Sequence, residues 1–287
     1  MSASLQLDEL LNDSLELLSS PDVYLRLREV MQSENAGMND VAEVILLDPA
    51  LAARVLRIAN SAFYGFPAEI DKVSRAVNIL GMQRIHDLVL AASVSRAFDG
   101  LSNELLDINT FWYRSVQCGF LAKTIAEGAG MRDAESMFVR GLLHDIGHLV
   151  LFSKYPAESR AALSHADKGL QARLTQEQQQ IGIDAIQLTA ELVKAWQLPP
   201  TFVDSYRYLM EPESVTEELA REVAILHIAA QISSGIDSDL LLEEIVGSIR
   251  APVWQIAGLP PEVGLPALDA TAMEMVDAMY LVLTDSI

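Results

Sequence analysis

Hydrophobic residues recur along most of the chain at helical spacing. Between residues 50 and 59, for example, Leu51, Val55 and Ile58 fall on one face. No run of alternating apolar and polar residues predicts a strand, and no fixed-period repeat is present. The pattern therefore predicts an all-α protein with many short helices rather than a simple bundle. Other helices are predicted over residues 41–47, 71–81, 82–98, 108–127, 133–155, 157–167, 170–180, 184–196, 200–209, 215–234, 238–249 and 270–284.

Several aspartates stand where a helix N-cap is expected. Asp40 and Glu43 have the spacing of a capping box, in which each side chain binds a backbone N–H of the first turn. Asp48, Asp71 and Asp133 each stand at or just before the start of a predicted helix. The helix after Asp133 is predicted to continue unbroken to the proline at position 156.

Turn-rich segments divide the chain. The polar stretch 99–107 predicts a boundary between an amino-terminal helical lobe, about residues 1–100, and a second lobe, 101–287. We expect both lobes to form a single domain. Four prolines between positions 252 and 266 predict an irregular stretch before the last helix.

Charge and composition narrow the classes of partner. Twenty basic and forty acidic residues give a net charge of −20, which repels phosphate backbones and anionic lipid surfaces. We therefore expect no nucleic-acid or membrane partner. The acidity either serves solubility or attracts a protein with a basic face. No run of about 18 apolar residues and no basic leader is present. With one cysteine, Cys118, no internal disulfide can form. These features favour the cytoplasm.

The segment from 141 to 151, GLLHDIGHLVL, places the adjacent pair His144 and Asp145 within an apolar run. An imidazole beside a carboxylate is a natural start for a metal site, but a catalytic site needs three or more ligands. His148 lies four residues after His144, as in the H-E-x-x-H zinc arrangement, with Asp145 in place of glutamate. The shorter aspartate reaches a bound water poorly, and no third ligand is evident. The alternative is structural: the pair binds backbone groups, and His148 lies near the surface.

The remaining histidines and the cysteine have simpler interpretations. His86 has no glycine-rich context and is assigned no role. His165 lies in a polar stretch and is expected to be exposed. His227 lies in an apolar run, as expected of a core histidine with a hydrogen-bond partner. Cys118 is expected to pack as a small hydrophobic residue.

Several motifs in register resemble the HDOD domain, a bacterial output module related to the HD phosphohydrolases. The stretch 47–65, LDPALAARVLRIANSAFYG, resembles its signature, and four shorter segments match in the same order. These segments are 76–81, 111–112, 141–151 and 195–199. The resemblance covers about residues 7–235. It implies a multi-helical HDOD fold in which the amino-terminal lobe packs against an HD-like lobe.

The resemblance also implies which site residues should be present. HD enzymes bind metal through an upstream histidine, the His-Asp pair and a downstream aspartate, and two-metal members add further histidines. In this chain Arg114 stands at the first position, Ala185 and residues 205–208 replace the added histidines, and Ala230 replaces the aspartate. Only His144 and Asp145 remain. Two ligands do not hold a divalent ion tightly, and Arg114 would repel a cation and pair with Asp145.

The function implied by the resemblance is therefore regulatory. We expect a non-catalytic module of bacterial signal transduction, without a cofactor, that binds a protein partner or a small signalling ligand. The candidate interaction or family-motif residues are Arg54, Arg57, Asn60, Ser61 and Tyr64, together with His144 and Asp145. A structural role is the alternative for these positions, with Asn60 ending a helix.

Two other functions remain open. The pair His144 and Asp145 could belong to a metal-dependent phosphohydrolase acting on nucleotides or cyclic dinucleotides. A third hypothesis is a sensor that binds its ligand in the cleft between the lobes, because ligand-binding pockets often lie at such junctions.

Overall fold

The computed structural model describes residues 22–33, 37–60, 69–97, 105, 107–165, 169–237 and 241–261. All regular structure in these ranges is helical, which confirms the predicted all-α class. The first helices are α1 (Asp22–Gln32), α2 (Met38–Leu46), α3 (Pro49–Ala59), α4 (Val73–Leu80) and α5 (Met82–Ala97). The next are α6 (Ile108–Gly128), α7 (Ala134–Leu143), α8 (Ile146–Lys154), α9 (Pro156–Leu163) and α10 (Leu170–Gln180). The last are α11 (Ala185–Ala195), α12 (Pro200–Arg207), a 3-10 helix (Pro212–Ser214), α13 (Glu217–Asp237), α14 (Leu242–Ser248) and α15 (Ala251–Ala257).

The described residues form two compact units, one within 22–97 and the other within 105–261. In the first unit, α4 and α5 pack against α2 and α3, and α1 packs on α2 and α5. Its core is built from the apolar stripe of each helix, with Val55, Ile58 and Ile85 fully buried. The stripe that the helical spacing predicted is therefore the one that packs.

In the second unit, the long helix α6 packs against α7 and α13. Two glycines allow the first of these contacts. A Cβ on Gly141 would lie 2.6 Å from the carbonyl oxygen of Cys118, and one on Gly119 would lie 2.7 Å from that of Phe138. The two helix backbones therefore approach more closely than larger residues would permit. This contact fixes α7, the helix that leads into the His144–Asp145 turn.

The prediction of one continuous helix over 133–155 is wrong. Helix α7 ends at Leu143, His144 and Asp145 form a turn, and α8 begins at Ile146. At the start of α8, the backbone N–H of Gly147 donates to the hydroxyl of Thr189 at 2.9 Å. A partner from α11 thus satisfies an N–H that an uninterrupted helix would pair internally.

The predicted caps have mixed outcomes. Asp133 and Asp48 cap as expected, since each side chain accepts the backbone N–H three residues later, at 3.3 and 3.1 Å. The predicted capping box at Asp40 is wrong, because α2 already begins at Met38. Asp40 lies within the first turn, where its side chain accepts the N–H of Gly37 at 2.8 Å. Asp71 does not cap either, because Lys72 is the N-cap of α4. The local spacing of residues therefore did not determine where α2 and α4 begin.

The proline-rich segment after residue 250 is partly helical, contrary to the prediction. Helix α15 spans Ala251–Ala257, with Pro252 in its first turn, where a missing N–H removes no intrahelical bond. The predicted last helix, 270–284, lies outside the described residues. None of the described helices is long and apolar enough to cross a membrane.

Candidate functional site

His144 and Asp145 occupy the turn between α7 and α8. The His144 side chain is 7% exposed, and its Nδ1–H donates to the carbonyl of Gly141 at 2.7 Å. Because a carbonyl only accepts, this bond fixes the tautomer and leaves Nε2 as an acceptor. Burial lowers the pKa of His144, so the ring is neutral near pH 7.

His148 is deeply buried, so the expectation that it lies near the surface is wrong. The side chain is 1% exposed, and both ring nitrogens contact carboxylates. Nδ1 lies 2.5 Å from Oδ1 of Asp145, and Nε2 lies 2.5 Å from Oε1 of Glu177. A ring that donates from both nitrogens is an imidazolium. Burial alone and the nearby Arg173 would lower the pKa of His148, but the charges of the two carboxylates prevail and raise it to about 9.

Like Arg173, Glu177 on α10 belongs to the candidate site but was missed by the sequence analysis. Its side chain is 1% exposed. While Oε1 accepts from His148, Oε2 accepts the backbone N–H of Ala185 at 3.0 Å. Burial opposes its charge, but the His148 charge lowers the pKa of Glu177 below its ordinary value. A signal for this residue exists in the sequence: Leu170, Leu174 and Glu177 follow the i, i+4, i+7 spacing of a buried helical face.

Arg173 is the second cation at the turn. Its Nη2 lies 3.4 Å from Oδ1 of Asp145, and its Nε lies 3.8 Å from Oε1 of Glu177. Burial would raise the pKa of Asp145, but the charges of His148 and Arg173 hold it well below its usual range. Asp145, His148, Arg173 and Glu177 therefore form an ion cluster with two positive and two negative charges, in which His148 and Glu177 are buried and Asp145 and Arg173 are partly exposed. It joins α8 to α10.

A cavity of about 280 Å³ lies beside the turn. Arg114, Arg173, His144 and Asp145 belong to its wall. The sequence analysis expected a guanidinium at Asp145 and named Arg114. Arg173 is in contact with that carboxylate, and Arg114 lines the same cavity. Within the described part of the chain, no group of three or more His, Cys, Asp or Glu side chains is arranged to hold a metal ion.

Two positions that hold metal ligands in HD enzymes lie near this turn or on α13 in this chain. Ala185, at the position where the resemblance predicts a histidine, begins α11 and gives its N–H to Glu177. Ala230, at the position where it predicts the aspartate, is buried in α13. One turn further along α13, Ser233 and Ser234 reach the wall of the cavity. Residues with hydroxyl and guanidinium groups thus line the cavity beside the His144–Asp145 turn.

The family-motif residues belong to the other compact unit. Arg54 is 5% exposed and Arg57 is half-buried on α3. The side-chain amide of Asn60, at the end of α3, donates to the carbonyls of Leu56 and Ile70 at 2.9 and 2.8 Å. It also accepts the N–H of Ile70 at 2.7 Å. Two of these three hydrogen bonds tie the helix end to Ile70, in the segment before α4. Candidate residues Ser61 and Tyr64 lie outside the described residues.

The other singled-out residues are mostly in the core. His227 is buried, and its Nδ1–H donates to the carbonyl of Leu209 at 2.7 Å, which confirms the core interpretation. Cys118 is fully buried, as expected of a small hydrophobic residue. His86 is buried with its ring 5.0 Å from that of Tyr24. His165, expected to be exposed, is partly buried.

A family model and several known proteins match this chain. The HDOD domain model matches residues 17–212, so the chain belongs to the HDOD domain family. A solved HDOD domain protein with unknown function from Geobacter sulfurreducens is 21% identical and has a TM-score of 0.76. The match covers 98% of this chain and 99% of that one, and it shows the same fold.

Two further matches carry different names. A protein from Shewanella amazonensis named "putative phosphohydrolase" is 27% identical, with a TM-score of 0.74, over 96% of this chain and 98% of that one. An uncharacterized protein of Treponema pallidum is 22% identical over 233 residues. The alignment spans 80% of this chain but only 44% of that relative's length. The family is HD-related, and names among the structural neighbours include both phosphohydrolase and signal transduction protein.

Proposed function

We propose that this chain is a non-catalytic regulatory module of bacterial signal transduction that acts by binding another protein or a small ligand. The observation that carries the proposal is the buried His148 imidazolium held between Asp145 and Glu177, each at 2.5 Å. Asp145, the aspartate of the HD pair, contacts His148 and Arg173 in the ion cluster. In this view, the former catalytic centre has become part of the core.

The donor set supports the loss of metal chemistry. Both nitrogens of His148 face carboxylates, so neither has a lone pair for a metal. Oδ1 of Asp145 already contacts two cationic groups, and the Arg173 guanidinium at 3.4 Å would repel a divalent ion. Only His144 keeps an imidazole acceptor beside the cavity. These side chains do not fit a catalytic divalent cation, which needs at least three protein ligands.

The acidity of the chain supports a particular type of partner. A net charge of −20 attracts proteins with a basic face and speeds their encounter. The burial of Arg54 and the three backbone hydrogen bonds of Asn60 favour structural roles for these two motif residues. Arg57 is half-buried, so part of its side chain is accessible to a partner.

The rival function is a metal-dependent phosphohydrolase, which the name of the Shewanella amazonensis neighbour favours. An assay separates the two. The purified chain is incubated with nucleotides and cyclic dinucleotides in the presence of manganese, iron or magnesium, and phosphate release is followed. We expect release no faster than in a matched sample of Asp145→Asn. Metal-stimulated hydrolysis that this substitution abolishes would establish the enzyme instead.

The regulatory activity itself is tested by affinity capture. The tagged chain is used as bait in cells of its source, and Arg57→Glu is the comparison bait. We expect one regulator to be recovered with the unchanged chain and reduced with the variant. Lys72→Glu is a matched charge reversal at an exposed position of the same unit. Equal recovery by all three baits would show that Arg57 does not contribute to binding of the regulator.

A further inference from the structure

We propose that a groove between α10 and the pair α11 and α12 binds a short basic segment of a partner protein in an extended conformation. This inference rests on the proposed function, because it names the surface and the chemistry of a protein partner for a regulatory module. The groove lies on the same compact unit as the His144–Asp145 turn. Its wall shares no described residue with the cavity beside that turn, so the groove is a separate feature of the molecule.

The groove lies beside the connection between α10 and α11. Helix α10 packs against α9 and makes a smaller contact with α11. Two hydrogen bonds hold the connection: Oε2 of Glu177 accepts the N–H of Ala185 at 3.0 Å, and Nε2 of Gln178 donates to the carbonyl of Gly182 at 2.9 Å. Next to these contacts, the helices leave a space of about 500 Å³, which lies within the range of ligand-binding pockets.

The exposed residues of α10 carry no charge. They are Gln171, Thr175, Gln178, Gln179 and Gln180, and all but Gln180 line the groove. The charged residues of this helix, Arg173 and Glu177, belong to the ion cluster instead. Exposed helix faces usually carry charged side chains, whereas the centres of protein interfaces are depleted of them. The face of α10 along the groove therefore has the low charge of a binding surface.

Amide groups and buried apolar side chains in the groove match an extended peptide. The side chain of Gln187, exposed on α11, takes part in no hydrogen bond within the described part of the chain. An amide side chain offers both donors and an acceptor, as each backbone unit of an extended segment does. Leu174, Ile186 and Tyr206 form a buried floor, and half-buried Met210 adds a side chain that adapts to different contacts. An extended segment can therefore bond its backbone to the amides and place alternate side chains on the floor.

The unpaired charge of the groove is negative. Glu211 is exposed and forms no ion pair within the described ranges, and Asp184 is the N-cap of α11. Arg207 also lines the groove, but its guanidinium lies 2.9 Å from Oε1 of Glu191. A lysine or arginine of the partner is therefore attracted, as expected for a chain with a net charge of −20. An anionic ligand would instead meet two carboxylates.

The test selects peptides on the whole chain. A phage-displayed library of random linear peptides of about seven residues is used, because segments this short form no stable helix. We expect the recovered peptides to combine lysine or arginine with apolar residues. As labelled synthetic peptides, they should bind saturably, one peptide per chain, in fluorescence anisotropy. A library that yields no binding above the bare support overturns the proposal, as does the selection of peptides without basic residues.

Matched variants locate the binding. A net charge of −20 attracts any basic peptide, so each variant is compared with one of equal charge changed outside the groove. In Glu211→Lys, the dissociation constant of the selected peptides should rise about tenfold, because an attraction becomes a repulsion. Glu218→Lys makes the same change at an exposed position outside the groove and should alter it by about twofold or less. Gln187→Ala should weaken binding about threefold through a lost hydrogen bond, whereas Gln180→Ala should not.

The outcomes distinguish this inference from the proposed function. Equal weakening by Glu211→Lys and Glu218→Lys would mean that the peptides bind through overall charge, and it overturns the groove. Full binding by both Glu211→Lys and Gln187→Ala places the peptides elsewhere and overturns it too. In each case the non-catalytic function stands, because the assay for metal-stimulated hydrolysis does not depend on the groove. Metal-stimulated phosphate release together with groove-dependent peptide binding would contradict the proposed function and leave the groove as a peptide site.

Discussion

Nε2 of His148 and Oε1 of Glu177 lie 2.5 Å apart, although each side chain is only 1% exposed. Burying two charges is unfavourable unless further hydrogen bonds satisfy both groups. Here Asp145 accepts from the other histidine nitrogen, and the N–H of Ala185 donates to the second oxygen of the glutamate. The pair thereby links α8, α10 and the start of α11 beside the His144–Asp145 turn.

Removing the glutamate charge should destabilise the fold strongly. In Glu177→Gln, the amide group replaces one oxygen with an N–H donor, so while His148 is protonated either its Nε2–H or the N–H of Ala185 faces another donor. Breaking a buried pair from one side costs about 3 kcal/mol or more. Urea unfolding followed by circular dichroism measures this loss. The control Glu191→Gln removes an ion pair with Arg207 on the surface and should cost about 1 kcal/mol or less. Equal small effects of both variants would contradict the ion cluster.

Stability should decrease with rising pH above neutrality. The pKa of His148 is raised from 6.5 to about 9, so between these values the folded chain holds a proton that the unfolded chain has released. The stabilisation is complete below about pH 6.5 and is lost as the pH rises towards 9, by an amount on the order of 3 kcal/mol. Burial lowers the pKa values of His144 and His227. These two residues therefore change the pH dependence of stability only below pH 6.5, outside this window.

Urea unfolding at a series of pH values tests this dependence, and His148→Gln should flatten it. If that variant does not fold, the NMR titration of His148 in the unchanged chain gives the same answer. A ring still protonated at pH 8 supports the account. A ring that loses its proton near 6.5 would contradict it.

Gly147 should tolerate no side chain. A Cβ there would lie 2.0 Å from the carbonyl oxygen of Ala185, and a backbone atom cannot move aside as a side chain can. Gly147→Ala should therefore cost about 3 kcal/mol, and the contact between α8 and α11 should loosen. Gly247→Ala is the control, because no atom lies within 4 Å of its added Cβ. In a helix, that change should stabilise by roughly 0.5 kcal/mol or more. Both melting temperatures are read by circular dichroism.

We expect Asn60 to stabilise the fold rather than to contact a partner. Asn60→Ala removes three hydrogen bonds to the backbone and should lower the free energy of unfolding by about 2 kcal/mol. The matched control Asn78→Ala removes one local bond, to the carbonyl of Ser74, and should cost less than about 1 kcal/mol. Hydrogen exchange at the Ile70 amide reports the change directly. A stable Asn60→Ala variant that has lost only its partner would show that Asn60 is a contact residue.

The sequence predicted the features that depend on local spacing. The helical class, the core stripe of α3 and the caps at Asp48 and Asp133 follow from neighbouring residues alone. The core position of His227 also follows from its apolar surroundings. Each of these features needs only the period of the helix or a residue within one turn.

The ion cluster could not be predicted in the same way. Glu177 lies 29 residues after His148, within a glutamine-rich stretch that resembles a solvated helix surface. The break at the His144–Asp145 turn depends on the Thr189 hydroxyl, 42 residues beyond Gly147. Both features are set by helices that meet only in the folded chain, so the local pattern favoured an unbroken helix.

The most direct test of the central claim is a calorimetric titration of the chelator-treated chain with manganese, with Asp145→Asn titrated in parallel. Asp145 is bound by His148 and Arg173, so the account predicts no stoichiometric binding by either protein. Binding of one ion per chain by the unchanged protein, lost in Asp145→Asn, would contradict it.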